Sequence, residues 1–135
     1  FVALAAERGT PLDRISRIVA MLLTQRDLPA PTFILRELAN DRPLPPPLLQ
    51  LMQRNLGTIA GLIREGQRDG SIRKAEPRLL AMSVMAQPFL LRIASRIPRD
   101  VAGVDRNDPK TQQRLVKHVI TTIRRSLATH PERRS

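Results

Sequence analysis

Apolar side chains recur every three or four positions along nearly the whole chain, and no stretch alternates as a half-buried strand would. The pattern predicts an all-α fold of five helices. Thr10 can cap the first, with Pro11 in the first helical position and Asp13 where the acid of a capping box belongs. Leu12, Ile15, Ile18, Val19, Leu22 and Leu23 form its apolar face up to about Arg26. The breaker Leu28-Pro29-Ala30-Pro31 precedes a short second helix, Thr32 to about Asn40, carrying Phe33, Ile34, Leu35 and Leu38. An extended, proline-rich connector over 41–47 leads into the third and longest helix, about Pro46 to Asp69. Its stripe is Leu48, Leu49, Met52, Leu56, Ile59 and Ile63, and Gly70 stops it as a left-handed cap. Gly57, Gly61 and Gly66 lie inside it, each costing about 1 kcal/mol relative to alanine. Simple tolerance is the expectation for all three, and close approach of another backbone or a ligand is the alternative. A tight link over 71–76 precedes the fourth helix, which Pro77 opens and which runs to about Ile97 with a kink expected at Pro88. A loop from Pro98 to Asn107 reaches the cap Asp108-Pro109, and the fifth helix continues to about Ala128. His130 to Ser135 reads as a frayed tail.

The last two helices are apolar on more than one flank. In the fourth, Leu79, Met82, Ala86, Phe89, Ile93 and Ile97 make one stripe, and Leu80, Val84 and Leu91 make a second about 100° away. In the fifth, Val116, Ile120, Ile123 and Leu127 share a line, with Leu115 and Val119 beside it. A surface helix needs only one apolar face. A twofold dimer in which these helices form a four-helix bundle with their copies is the economical solution. A monomer whose other helices cover both flanks is the alternative.

The 135 residues suit one domain, large enough to bury roughly two-thirds of its unfolded surface without disulfide or metal. With no cysteine, thiolate metal sites, disulfide frameworks and cysteine catalysis drop out. No apolar run approaches the ~18 residues of a membrane span, and no signal-peptide signature opens the chain, so a cytoplasmic protein without membrane contact is expected. The net charge is +11, and all but three of the 23 basic residues are arginine. A basic helical module that binds nucleic acid or an anionic membrane directly is therefore one functional reading. An arginine-rich bias spread over solvated helix faces explains the same numbers, and the absence of tryptophan and tyrosine argues against base stacking.

Catalytic and metal chemistry find no constellation. His118 sits among polar residues of the fifth helix and His130 in the tail, with no paired histidine or Glu-x-x-His spacing, so no metal is expected. Asp105-Arg106-Asn107-Asp108 lacks the glycine and terminal glutamate of a calcium loop and reads as a loop ending in a cap. Asp27, Glu37, Asp41, Glu65, Asp69 and Glu76 fall at helix ends, links or polar faces, so neither an enzyme nor a cofactor is expected. Met21, Met52, Met82 and Met85, with Phe33 and Phe89, sit on helices that would surround one interior. They read either as an adaptable apolar pocket, with Gln87 beside Pro88 offering an amide, or as plain core.

Several segments resemble the effector-binding and dimerisation half of TetR-type bacterial transcription regulators. They are Gly9-Thr10-Pro11-Leu12-Asp13-Arg14-Ile15, Phe33-Ile34-Leu35-Arg36-Glu37-Leu38, the run from Ile63 through Gly70-Ser71-Ile72-Arg73, Glu76-Pro77-Arg78-Leu79-Leu80-Ala81, and Val116 to Leu127. The resemblance covers about residues 9–129. It implies a regulatory domain of a one-component repressor that binds an apolar small-molecule effector and forms a homodimer through its last two helices. Residues 1–8 would end a helix from an N-terminal helix-turn-helix, which alone would read operator DNA and of which nothing is seen before Thr10. On this reading the effector is lined by Leu22, Phe33, Met52, Leu56, Ile59, Met82, Met85 and Phe89. The dimer interface takes Leu91, Val116, Ile120, Ile123 and Leu127.

Overall fold

The computed structural model describes residues 2–24, 31–93 and 96–129. Among them it is all-helical, in the order α1 (Val2–Ala5), α2 (Pro11–Thr24), α3 (Pro31–Ala39), α4 (Pro46–Asp69), α5 (Pro77–Ile93), α6 (Arg96–Ala102) and α7 (Pro109–Leu127). The expected tail and most of the breaker before α3 lie outside the described residues.

The helix starts follow local chemistry. The Asp13 amide donates to Thr10 Oγ1 at 3.1 Å and the Thr10 amide to Asp13 Oδ2 at 3.4 Å, a reciprocal capping box at the head of α2. Asp108 caps α7 by accepting from the Thr111 amide at 3.2 Å. The expected fourth helix is described as α5 over Pro77–Ile93, and residues 94–95 lie outside the described residues. α6 covers Arg96–Ala102 and so puts helix into the stretch from Pro98 where the sequence predicts a loop. Gly103 closes α6 at φ +67°: its amide bonds Arg99 O at 3.1 Å, and Val104 N bonds Pro98 O at 2.8 Å. The bond from the Gly103 amide to Arg99 O is that of an αL-motif ending, and the glycine is its sequence signal.

The core is built where α2, α4, α5 and α7 meet. Ile15, Ile18, Val19 and Leu23 of α2 pack with Ile59, Ala60, Leu62 and Ile63 of α4, Leu80, Ala81 and Val84 of α5, and Val119, Ile123 and Leu127 of α7. Full burial of one such aliphatic side chain stabilises by about 1.5–3 kcal/mol. No polar or charged residue joins them among the described residues.

Ile72, in the link after α4, completes this core and overturns the expectation for one glycine. A Cβ on Gly66 would lie 2.4 Å from Ile72 Cδ1 and 2.5 Å from Cγ1, whereas Gly57 and Gly61 face open space. Gly66 is therefore required by close packing, and only Gly57 and Gly61 are merely tolerated. The Ile72 amide bonds Gly66 O at 3.0 Å, Arg73 N bonds Leu127 O at 2.8 Å, and Ile72 forms an isolated antiparallel bridge with Ala128. Gly70, at φ +85°, makes the reversal that lets the link return along α4 and clamp the end of α7. Two arginines tie α2 to its neighbours. Arg14 pairs with Glu65 of α4 and donates to Ala5 O of α1 at 2.9 Å, while Arg124 of α7 donates to Asp13 at 3.0 Å and Ser16 at 3.1 Å.

Candidate functional site

The apolar stripe of α4 changes role along its length. Ile59 and Ile63 enter the core, while the earlier turns, Leu48, Leu51, Met52 and Leu56, form one wall of a cavity of about 470 Å³. Met82, Met85, Ala86 and Phe89 of α5 form the facing wall, and Leu22 of α2 and Ile34 of α3 close two further sides. Gln53, Asn55 and Arg92 are the polar residues of the lining. The cavity opens to solvent beside Met82, itself 56% exposed. Such a volume, apolar walls and a few polar groups are the features of small-molecule sites. Thioethers on both walls let the shape adapt to its contents.

Leu22, Met52, Leu56, Met82, Met85 and Phe89 all line this space. Ile59 does not: it lies one turn beyond Leu56, where α2 closes on α4, and is wholly buried with Ile15, Ile18 and Val19. Phe33 does not either. The nine-residue α3 turns Ile34 to the cavity and leaves Phe33 45% exposed, a rotation of one residue that an apolar pair cannot signal. Met21 and Gln87 are absent from the lining, and Pro88 is a buried core residue within α5. Leu48, Leu51 and Arg92 were missed. Leu48 was legible in the α4 stripe, whereas Arg92 was not, because an arginine near a helix end ordinarily points to solvent.

Arg92 connects the cavity to the C-terminus of α2. Its Nη1 donates to Leu22 O at 3.0 Å, and burial lowers its pKa. Beside it, Arg106 donates to Leu23 O at 2.8 Å and Leu91 O at 2.7 Å, and Gln112 of α7 donates to Leu23 O at 2.9 Å. The Arg106 pKa is lowered by burial first and by the charge of Arg92 second. A guanidinium retains its charge under such shifts. Two cations therefore complement the negative end of the α2 dipole and satisfy its last carbonyls.

The residues expected at a dimer interface divide. Ile123 and Leu127 are each 1% exposed in the single protomer, because α7 packs against α2 and α5 and its end is clamped by the Ile72 link, so neither can meet a second copy. Leu91, Val116 and Ile120 are half-buried against the same core. Large apolar side chains are left outside on several helices, and the most exposed on α5 and α6 are Leu79, Met82, Leu90, Ile97 and Val101; Phe33, Leu35 and Leu38 of α3 and Leu49 and Leu51 of α4 are exposed to a lesser degree. Among the described residues no helix is long and apolar enough to cross a membrane, and no three His, Cys, Asp or Glu side chains cluster as a metal site would require. No protein-family model matches the chain, and comparison with curated proteins and with solved structures gives no match.

Proposed function

We propose that this chain is the small-molecule-sensing domain of a TetR-type transcription regulator, and that its effector is an apolar molecule held between α4 and α5. The cavity of about 470 Å³, apolar on both walls and open beside Met82, carries the reading. The order of resembling segments supports it, and operator DNA would be read by a helix-turn-helix outside these residues. Homodimerisation belongs to the same proposal. Leu79 and Leu90 of α5, with Ile97 and Val101 of α6, are exposed apolar side chains that a second copy would cover, in place of the buried Ile123 and Leu127.

Binding would reach the rest of the domain through Arg92. An effector pressing on Met85, Phe89 and Arg92 also loads the Leu22 carbonyl, next along α2 to the Leu23 carbonyl that Arg106 and Gln112 hold, and so loads the start of α7. A ligand favouring one arrangement of this junction shifts the population of dimer geometries, and with it the separation of two reading heads on fixed half-sites.

Titration with the neutral dye N-phenyl-1-naphthylamine tests the site. Saturable fluorescence enhancement is expected, with Ala86→Trp, which fills the mouth, and Met52→Glu, which places a charge on the α4 wall, each abolishing it while circular dichroism stays unchanged. Equal dye binding by all three proteins, or none by the parent, overturns the reading. Sedimentation of Leu79→Glu/Leu90→Glu as monomer beside a dimeric parent tests the surface for the second copy.

A further inference from the structure

The outer face of α7 is built as a single-sign surface. Its 19 residues include Lys110, Arg114, Lys117, Arg124 and Arg125, and no aspartate or glutamate. At 100° per residue, Lys110, Arg114, Lys117, His118 and Arg125 fall within about 100° of the helix circumference, centred opposite the buried Ile123. All five are exposed, and the row runs about 22 Å along the axis. Arg124 lies outside the arc and is held by Asp13. Among the described residues, Lys110, Arg114, Lys117 and Arg125 enter no ion pair. Of the nearby acids, Asp13 is taken by Arg124 and Asp108 by the α7 cap. Like charges one turn apart repel, so this row is relieved by an anionic partner and opposed by a second copy of itself.

We infer that this face binds the phosphate backbone of double-stranded nucleic acid without reading its sequence, an activity separate from the cavity. The apolar side of α7 is committed to the core, so nothing remains on this helix to enter a bilayer. The chain has no tryptophan or tyrosine with which to stack unpaired bases. What the face does offer is four cations with Thr121 among them and Gln113 and Thr122 at its two edges, the side-chain types that contact phosphate oxygens. Duplex DNA presents one negative charge per ~1.7 Å of axis, dense enough to meet all four.

Salt dependence measures the contact directly. Each phosphate neutralised adds about −0.9 to the slope of log affinity against log salt. Four contacts give a slope of about −3.6, a loss of about 150-fold between ~50 and ~200 mM salt. The experiment is fluorescence anisotropy of a labelled mixed-sequence duplex with the full chain. Arg114→Gln/Lys117→Gln/Arg125→Gln is expected to leave a slope near −0.9, a loss of about 3.5-fold over the same range, and Lys117→Gln alone to reduce the parent slope by about 0.9. Arg36→Gln/Arg64→Gln/Arg68→Gln removes the same charge from exposed positions of α3 and α4 and is expected to leave the slope unchanged. Equal slopes for the two triple variants, no duplex binding at ~50 mM salt, or binding to phosphatidylglycerol vesicles but not to duplex would each overturn the inference.

Discussion

Replacing Gly66 with alanine should destabilise this protein, although the same change at Gly61, in the same helix, should stabilise it. At Gly61 a new Cβ meets nothing within 4 Å, so only helix propensity acts, with a gain of up to about 1 kcal/mol. At Gly66 the Cβ would sit 2.4 and 2.5 Å from two carbons of Ile72, more than 1 Å inside the ~3.5–4.0 Å optimum for carbon pairs. Ile72 cannot swing aside cheaply. It is 2% exposed, its own amide is bonded to Gly66 O, and the next amide is bonded to Leu127 O. An overlap of this size belongs at the upper end of overpacking costs, about 3 kcal/mol, and subtracting the propensity gain leaves a net loss of about 2 kcal/mol. At about 4 °C per kcal/mol for a domain of this size, Tm should fall by about 8 °C for Gly66→Ala and rise by up to about 4 °C for Gly61→Ala. Thermal melts followed by circular dichroism measure both. In an Ile72→Ala background, itself about 2–5 kcal/mol less stable, most of the Gly66→Ala penalty should vanish, because the two closest carbons are gone and only Cβ, at 3.0 Å, remains. A Tm that rises for Gly66→Ala as it does for Gly61→Ala would refute the packing argument.

Other outcomes follow from the same geometry. Thr10→Ala removes one half of the α2 capping box and should cost about 1 kcal/mol in urea unfolding. Arg106→Met removes the donor to Leu91 O and leaves Leu23 O with Gln112 alone, and should cost about 2 kcal/mol, with Arg106→Lys failing to restore it because one ammonium cannot span both directions. The Asp13 carboxyl is held below its usual pKa first by the Arg124 hydrogen bond and then by those of Thr10. Since the folded pKa is the lower one, its contribution is present above the unfolded value near 4 and is lost as pH falls through the folded value. Acid melts below pH ~4 should therefore drop less steeply for Asp13→Asn than for the parent, and parallel curves would contradict that coupling. A saturating apolar ligand at about 100 times its Kd should add about 2.7 kcal/mol, read as a higher Tm in the parent and no change in Ala86→Trp.

How much could be read beforehand varied with the physical range of the interaction. The cap at Thr10, the left-handed stop at Gly70 and the proline starts of α4, α5 and α7 are local, and each is visible within a few residues. α6 is hidden because Pro98, which sits in its first turn, reads equally well as a loop residue, and a glycine such as Gly103 closes a loop as readily as a helix. Six of the eight residues expected around an effector line the cavity, since a helix stripe identifies a facing side. It does not say how far along that side packing is tight, which is why Ile59 went to the core. Nor does it fix the rotation of a nine-residue helix, which is why Ile34 rather than Phe33 faces inward.

The α7 cations and the apolar breadth of α5 are properties of the chain itself, set by residue order and the 3.6-residue period. What covers them is not. Only the tertiary arrangement placed Ile123 and Leu127 inside one protomer, left Leu79 and Leu90 outside it, and brought Arg92, Arg106 and Gln112 together on two carbonyls of α2. Periodicity records which side of a helix avoids water, but the neighbour that shelters it can come from residues 51 to 111 positions away, whose approach no local pattern encodes.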